Sequence, residues 1–173
     1  MAVYALGDAE PSIAPDAYVH PQATVIGDVT IGSESSIWPH AVLRGDYGRI
    51  VVGARTSIQD GAVIHCTPEQ DTVIGDDCVI GHLAHMESCT IEDGTLIGTG
   101  SVVLHRVVVG RGALVAAAAL VPNGMKVPPG AIAMGVPAKV REGAADADDI
   151  ALNAASYAEN GRRYRKTLRR LDA

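Results

Sequence analysis

Aliphatic residues recur every six positions along most of the chain, usually with a small residue four positions later. The first series of these aliphatic residues is Ile13, Val19, Val25, Ile31, Ile37 and Leu43. A period of six matches neither an α-helix, which repeats about every 3.6 residues, nor a simple strand, which alternates every two. Such a long period predicts a solenoid made of short stacked strands.

The period is interrupted after Leu43 and after Ile64, and it then continues to Ala133. The later aliphatic positions are Val52, Ile58, Ile64, Ile74, Ile80, Met86, Ile91, Ile97, Val103, Val109, Val115, Val121, Val127 and Ala133. The pattern resembles the hexapeptide repeat of left-handed parallel β-helices, in which three strands form each turn. About nineteen repeats then imply about six turns. The predicted fold is an all-β left-handed parallel β-helix over residues 1–140, entered through a strand or loop at 1–12.

The remaining residues, 141–173, predict a linker and one α-helix that packs on the coil. Aspartates open this segment and arginines and lysines close it, which is the charge order that a helix dipole favours. Apolar or small residues step by four and three along one stripe at Ile150, Ala154, Tyr157, Gly161, Tyr164, Leu168 and Leu171. Gly161 within this stripe would allow the helix to approach the coil closely.

The composition of the chain argues against two classes of partner, nucleic acids and membranes. The net charge is −6, and the body of the chain has no basic run, so we expect no binding to nucleic acid. No apolar run approaches the ~20 residues that span a bilayer, so we expect no membrane insertion and a cytoplasmic location. The three cysteines lie among aliphatic residues and lack a CxxC pair, which favours buried reduced thiols over disulfides or a zinc knuckle.

The candidate chemistry is concentrated in residues 65–89, which hold three of the six histidines. Because three repeats make one turn, Met86 should lie directly over Ile64, and Glu87 should therefore stack on His65 about 4.8 Å away. His82 has a different phase, so we do not expect it to meet His65 within one chain. Histidines and a carboxylate together favour a metal site. The alternative is a set of polar residues that satisfy one another at a subunit interface without metal.

A family resemblance rests on three features. These are Arg44 and Asp46 in LRGD, Gln59 and Asp60 in ARTSIQDGAVIH, and the separation of two histidines, His65 and His82. Together they resemble the γ-class carbonic anhydrase family. The resemblance implies a homotrimer in which three histidines bind zinc, with iron or cobalt as alternatives, at each subunit interface. His65 matches the first ligand and His82 the second.

The third ligand position of the family is occupied by Glu87 in this sequence, and a histidine is displaced to His85. Two interpretations remain open. Glu87 can be the ligand, because carboxylates bind zinc, and its stacking on His65 favours it. Alternatively His85 binds the metal and Glu87 supports it or handles protons.

The resemblance also implies roles for the remaining candidates. Arg44 and Asp46 would form an ion pair across the subunit interface, and Arg44 would help to place bicarbonate. Gln59 would hold the bound water or the substrate by a hydrogen bond, and Asp60 would orient a neighbour. Tyr157 resembles a tyrosine that the family brings from its terminal helix toward the metal, although a packing role fits equally well. The other histidines, His20, His40 and His105, are assigned to the surface or an interface.

The implied activity is the reversible hydration of carbon dioxide to bicarbonate. The chain departs from the best-known members of the family at Tyr47, where they carry an acidic residue, and in its short loop at 67–71, where Glu69 is a partial substitute. Two other functions remain open. Hexapeptide acyltransferases share the coil, bind acyl-coenzyme A and often carry the closing GVPAK sequence found at 135–139. The third possibility is a non-catalytic, metal-binding trimeric scaffold.

Overall fold

The computed structural model describes residues 2–172; Met1 and Ala173, the outer limits of the two predicted regions, lie outside the described residues. The described part consists of short strands followed by one helix. The strands are β1 (Ala2–Tyr4), β2 (Ser12–Ile13), β3 (Tyr18–Val19), β4 (Thr24–Ile31), β5 (Ser36–Ile37), β6 (Val42–Val52), β7 (Ser57–Ile58), β8 (Val63–His65), β9 (Thr72–Ile74), β10 (Val79–Ile80), β11 (His85–Glu87), β12 (Thr90–Ile91), β13 (Leu96–Ile97), β14 (Val102–Val103), β15 (Val108–Val109), β16 (Leu114–Val115), β17 (Leu120–Val121), β18 (Lys126–Val127), β19 (Ile132–Gly135) and β20 (Ala138–Arg141), and the helix is α1 (Ala147–Thr167).

These strands form three faces of a left-handed parallel β-helix, as predicted. The first face contains β1, β8, β11, β14 and β17, and the second contains β2, β9, β12, β15 and β18. Strands β4 and β6 are long enough to bend across the corner and belong to both of these faces. The third face contains β3, β5, β7, β10, β13, β16 and β19, and β20 closes it by antiparallel pairing with β19.

The core is the column of aliphatic side chains that the six-residue period predicts. All of these residues from Val19 to Ala133 are buried, most of them completely, and Ile13 is partly buried at the open end. Removing one such side chain from water stabilises the fold by roughly 1.5–3 kcal/mol. The same register repeats from turn to turn, so each buried residue stacks on another one turn above it.

The number of turns differs from the prediction. The coil makes about seven turns rather than about six. The twenty aliphatic positions named above, at three per turn, already make more than six and a half turns. Strand β1 pairs in parallel with β4 through Val3 and Val25 and completes the seventh. A segment of three residues carries too little periodicity to be recognised as a repeat in the sequence.

Helix α1 packs along the third face, against β3, β5, β7 and β10. Its N-cap is Asp146, whose carboxylate accepts hydrogen bonds from two backbone amides. A Cβ atom on Gly161 would lie 3.2 Å from Ser36 Cβ, so the predicted close approach at this glycine is confirmed. The predicted stripe is wrong at its end: Leu168 is the C-cap, and Leu171 lies beyond the helix with 81% of its surface exposed. No helix among residues 2–172 is long and apolar enough to cross a membrane.

Candidate metal centre

One column of outward side chains on the first face carries the central residues of the predicted site. The parallel register pairs Arg44 with His65 and His65 with Glu87. Each of the three follows a fully buried residue, and strand alternation therefore turns its side chain away from the core. The predicted stacking of Glu87 on His65 is confirmed.

His65 lies between two carboxylates. Its Nδ1 atom is 2.7 Å from Glu87 Oε1, and its Nε2 atom is 2.8 Å from Asp46 Oδ1. Asp46 also accepts a hydrogen bond from the guanidinium of Arg44 within the same chain. Only 13% of the His65 side chain is exposed, so these contacts are largely shielded from water. The pairing of Arg44 with Asp46 across a subunit interface stays a prediction.

Both carboxylates have lowered pKa values. Burial by itself raises the pKa of Asp46, but the hydrogen bond with His65, the hydrogen bond from Arg44 and the charge of Arg44 outweigh it. Burial also acts to raise the pKa of Glu87, whereas the hydrogen bond with His65 and the charges of the surrounding histidines bring it below its ordinary value. Both carboxylates are therefore ionised at neutral pH, and His65 faces a negative group on each side.

The second carboxylate oxygen of Glu87 faces two more histidines. Its Oε2 atom is 3.5 Å from His105 Nε2 and 3.8 Å from His85 Nε2. Both separations exceed the ~2.7–3.2 Å of an ordinary N–H···O hydrogen bond. His105, which was expected only at the surface or an interface, lies beside Glu87. The two residues are 18 positions apart in the sequence, but the turn between them has 17 residues, because Met86 pairs with Val103. The register therefore leads from Glu87 to Leu104, and His105 reaches Glu87 from the next position, at the corner.

His82 belongs to a separate group at the corner between the third and first faces. Its Nδ1 atom is 2.9 Å from Asp60 Oδ2, and its backbone N–H donates to Gln59 Oε1 at 3.1 Å. Gln59 is buried, whereas the side chains of His82 and Asp60 are nearly half exposed. Glycine is needed just before His82, because a Cβ atom on Gly81 would lie 2.7 Å from the carbonyl oxygen of Ile97. The fold therefore presents His82 outward on a tightly packed turn.

The two groups remain apart within one chain. Among residues 2–172, no cluster of three or more histidine, cysteine, aspartate or glutamate side chains is arranged to hold a metal ion. The ion pairs of His65 lead to Asp46 and Glu87, and that of His82 leads to Asp60. One chain therefore supplies two separate parts of the predicted ligand set.

Tyr157 and Tyr47 flank these two groups. Tyr157 lies on α1 and packs against Trp38 with ring centroids 5.9 Å apart. Burial raises the pKa of Tyr157, and the nearby charge of Asp60 acts in the same direction. Tyr47, which is 66% exposed, lies edge-on to His65 at 6.3 Å between ring centroids. Tyr157 therefore lies near the His82 group, whereas Tyr47 lies over His65.

Comparison with known proteins places this architecture in a family. The profile of the family described as "Bacterial transferase hexapeptide (six repeats)" matches residues 10–45. The carnitine operon protein CaiE of Proteus sp. is 41% identical over 139 residues, which cover 80% of this chain and 71% of CaiE. Gamma carbonic anhydrase 1 of Arabidopsis thaliana mitochondria is 44% identical over 138 residues, which cover 76% of this chain and 50% of that protein.

A solved structure agrees with these relatives. A Bacillus cereus protein designated an acetyltransferase superposes with a TM-score of 0.92 and 37% identity, covering 94% of this chain and 96% of that one. The protein is thus a left-handed β-helix protein of the hexapeptide-repeat class. It belongs to the γ-class carbonic anhydrase-like family, which includes CaiE. The chain spans about half the length of the Arabidopsis relative.

Proposed function

We propose that the protein is a γ-class carbonic anhydrase-type enzyme that hydrates carbon dioxide reversibly. In this proposal it acts as a homotrimer whose metal sites lie between subunits. The observation that carries it is the division of the ligand set. His65 and Glu87 are stacked in one group, and His82 is held outward in another, so a site with both parts requires two chains.

The chemistry of these residues fits a divalent metal. A neutral imidazole carries one N–H, so a neutral His65 turns a lone pair toward one of its two carboxylates. A ring nitrogen with a lone pair and a carboxylate oxygen repel each other at 2.7–2.8 Å unless a cation or a proton lies between them. His65, Glu87 and His82 of the partner subunit would hold zinc, with iron or cobalt as alternatives. Two histidines and one carboxylate form a known zinc ligand set.

Glu87 is the better candidate for the third ligand. The Oε1 atom of Glu87 lies 2.7 Å from Nδ1 of His65. His85 lies on the other side of the Glu87 carboxylate, with its Nε2 atom 3.8 Å from Oε2. His85 is also more exposed than Glu87. The proposal therefore assigns Glu87 to the metal and His85 to its surroundings.

The other candidates would position the ligands and the substrate. Bound metal supplies a Lewis acid that lowers the pKa of water from 15.7 toward about 7. The carboxylate of Asp60 on His82 Nδ1 leaves the Nε2 atom of that ring available, and Asp46 restrains the ring of His65 in the same way. Arg44 is partly exposed beside Asp46 and offers a cation to bicarbonate.

We also propose a cytoplasmic location. Cys66, Cys78 and Cys89 are free and buried, which fits a reducing compartment. Burial raises the pKa of Cys78 and of Cys89 to about 12, so neither thiol is reactive at neutral pH.

The experiment combines elemental analysis of untagged protein with a carbon dioxide hydration assay. We expect one metal ion per chain, and loss of that metal in both His65→Ala and His82→Ala. The matched control is His40→Asn, which changes a histidine outside both groups and keeps a residue that tolerates its φ of 61°. Failure of the unmodified protein to hold metal would contradict the proposal.

Mixing the two variants tests whether the site is shared. A variant lacking His65 still offers His82, and a variant lacking His82 still offers His65. Random assembly of the two chains into closed trimers leaves about a quarter of the interfaces with both residues. We therefore expect about a quarter of the metal to return in coassembled protein, whereas a site within one chain would recover none.

An acyltransferase is the second candidate, because the Bacillus cereus structure designated an acetyltransferase covers 94% of this chain. Calorimetry with acetyl-coenzyme A distinguishes the two. Binding of acetyl-coenzyme A to protein that holds no metal would favour the transferase. Metal without hydration activity would instead favour the non-catalytic scaffold.

A further inference from the structure

Glu87 uses its two carboxylate oxygens in different directions. Oε1 lies 2.7 Å from His65, inside the group, and Oε2 faces His105 and His85 at 3.5 and 3.8 Å. A glutamate side chain has three rotatable bonds, and fixing a long side chain costs conformational entropy. Whatever restrains Oε2 therefore helps to keep Oε1 directed at His65.

The corner that carries His105 is held by backbone hydrogen bonds, as is the strand that carries His85. The N–H of the next residue, Arg106, donates to the carbonyl of Ser88 at 2.7 Å. The carbonyl of His105 accepts from the N–H of Gly124 at 2.8 Å. Hydrogen bonds to the turns below and above thus hold this corner, and its imidazole is presented to the turn that carries Glu87. His85 lies in the same strand as Glu87, farther from Oε2 and more exposed than His105.

We infer that His105 is the positioning residue of Glu87, and that it restrains the outer carboxylate oxygen so that the inner one stays directed at His65. This inference rests on the proposed function, because it gives His105 a role at the proposed metal site. His105 is not itself a ligand in this arrangement. It acts on the metal only through Glu87, and it is the group that makes a carboxylate effective at this ligand position.

The test measures cobalt(II) affinity by competition with a chelator, together with the visible absorption spectrum of the cobalt protein. Residues that support a ligand typically contribute 10–100-fold to metal affinity. We expect His105→Ala to lose 10–100-fold in cobalt affinity while keeping full stoichiometry at saturating cobalt and an unchanged spectrum. His105→Gln retains a side-chain N–H donor and should recover most of the affinity. His40→Asn should bind cobalt as tightly as the unmodified protein.

A second experiment, in the Glu87→His variant, tests whether His105 affects cobalt binding only through Glu87. In Glu87→His there is no carboxylate to position, so adding His105→Ala should change cobalt affinity by less than about twofold. A loss in this background as large as that in the original chain would overturn the inference. So would unchanged affinity in His105→Ala alone.

The remaining outcomes separate the inference from the proposed function. If His105→Ala binds less than one cobalt per chain at saturation, or binds cobalt with a changed spectrum, His105 is a ligand and the positioning role is wrong, while the unmodified protein still has a metal site. If the unmodified protein binds no cobalt or zinc, the proposed function fails and the inference fails with it. A lower thermal stability with unchanged affinity would make His105 a purely structural residue.

Discussion

After its first turns, which are regular from Ile13 to Leu43, the coil falls into two halves that are built from one repeat, yet only one of them carries the candidate ligands. In the regular half, from Ile91 to Ala133, the buried residue returns every sixth position without exception. In the irregular half, from Leu43 to Cys89, β6 runs across a corner, extra residues form a loop at 67–70, and the step from Met86 to Ile91 is five residues. Every ligand in the proposed set comes from this irregular half.

The comparison shows why chemistry accompanies irregularity in this fold. Corners are tightly packed in both halves: a Cβ atom on Gly98 would lie 2.5 Å from the backbone nitrogen of Ala117, and one on Gly75 would lie 2.8 Å from that of Asp93. The departures in β6 give Asp46 enough chain to reach from its own strand to His65 on the neighbouring turn. His105 is the exception, because it serves the irregular half from a regular corner.

The largest expected effect separates stability from metal binding. Ile97→Ala, in the regular half, should lower the free energy of unfolding by about 2–5 kcal/mol, because it leaves a cavity in a fully buried column. Metal content per folded chain should not change. Urea denaturation at fixed protein concentration and elemental analysis measure the two quantities. Loss of metal from folded Ile97→Ala protein would break the proposed separation of the halves.

The next effect concerns the third ligand. Glu87→Ala should lose more metal affinity than any supporting residue, beyond about 100-fold, whereas His85→Ala should leave metal content nearly intact. Glu87→His should retain metal and raise hydration activity at neutral pH, because a neutral ligand leaves more positive charge on the ion. Metal analysis and a stopped-flow hydration assay measure these changes. Metal lost from His85→Ala but kept by Glu87→Gln would reverse the assignment.

A smaller effect is expected at the second group. Asp60→Ala should weaken metal affinity by about 10–100-fold, because the ring of His82 loses the carboxylate on its Nδ1 atom. The control is Asp8→Ala, which removes an exposed carboxylate outside both groups. Chelator competition gives the affinities. Equal affinities for the two variants would mean that Asp60 does not orient His82.

The smallest expected effect concerns Asp93, whose carboxylate stabilises the coil and is not a residue of the candidate metal centre. The backbone N–H of Asp76 and the charge of Arg111 lower the pKa of Asp93 against the opposing effect of burial. A depressed pKa in the folded state adds stability that is present above the ordinary value of ~3.9 and is lost as the pH falls through the folded value. Asp93→Asn should therefore destabilise the protein at pH 7, on the order of 0.5 kcal/mol because the group is partly exposed, and this difference should shrink as the pH falls below the ordinary value.

The measurement for Asp93 is the urea midpoint as a function of pH for the variant and the unmodified protein, both free of metal. The two curves should converge as the pH falls. A constant difference across the whole range would show that the substitution acts through packing and not through charge.

Sequence reasoning was strongest where the repeat itself carried the information. The period located nearly the whole buried column, from Val19 to Ala133, and used as a ruler it placed Glu87 over His65. The same ruler does not place His105 beside Glu87: Met86 pairs with Val103, so Leu104 is the stacked position, and His105 reaches Glu87 from the corner that follows. The last third of the seventh turn was missed because a single short strand, β1, has no period of its own.

What the sequence determined by itself is the backbone: a six-residue period fixes which residues point inward and which residues stack one turn apart. What only the tertiary structure decided is the direction of the outward side chains. Glu87 divides its oxygens between His65 and His105, His82 pairs with Asp60, and Tyr157 packs on Trp38. The physical reason is that inward side chains are constrained by a close-packed core that the period encodes. Outward rotamers are instead selected by neighbours from other turns and from α1, whose positions exist only in the folded chain.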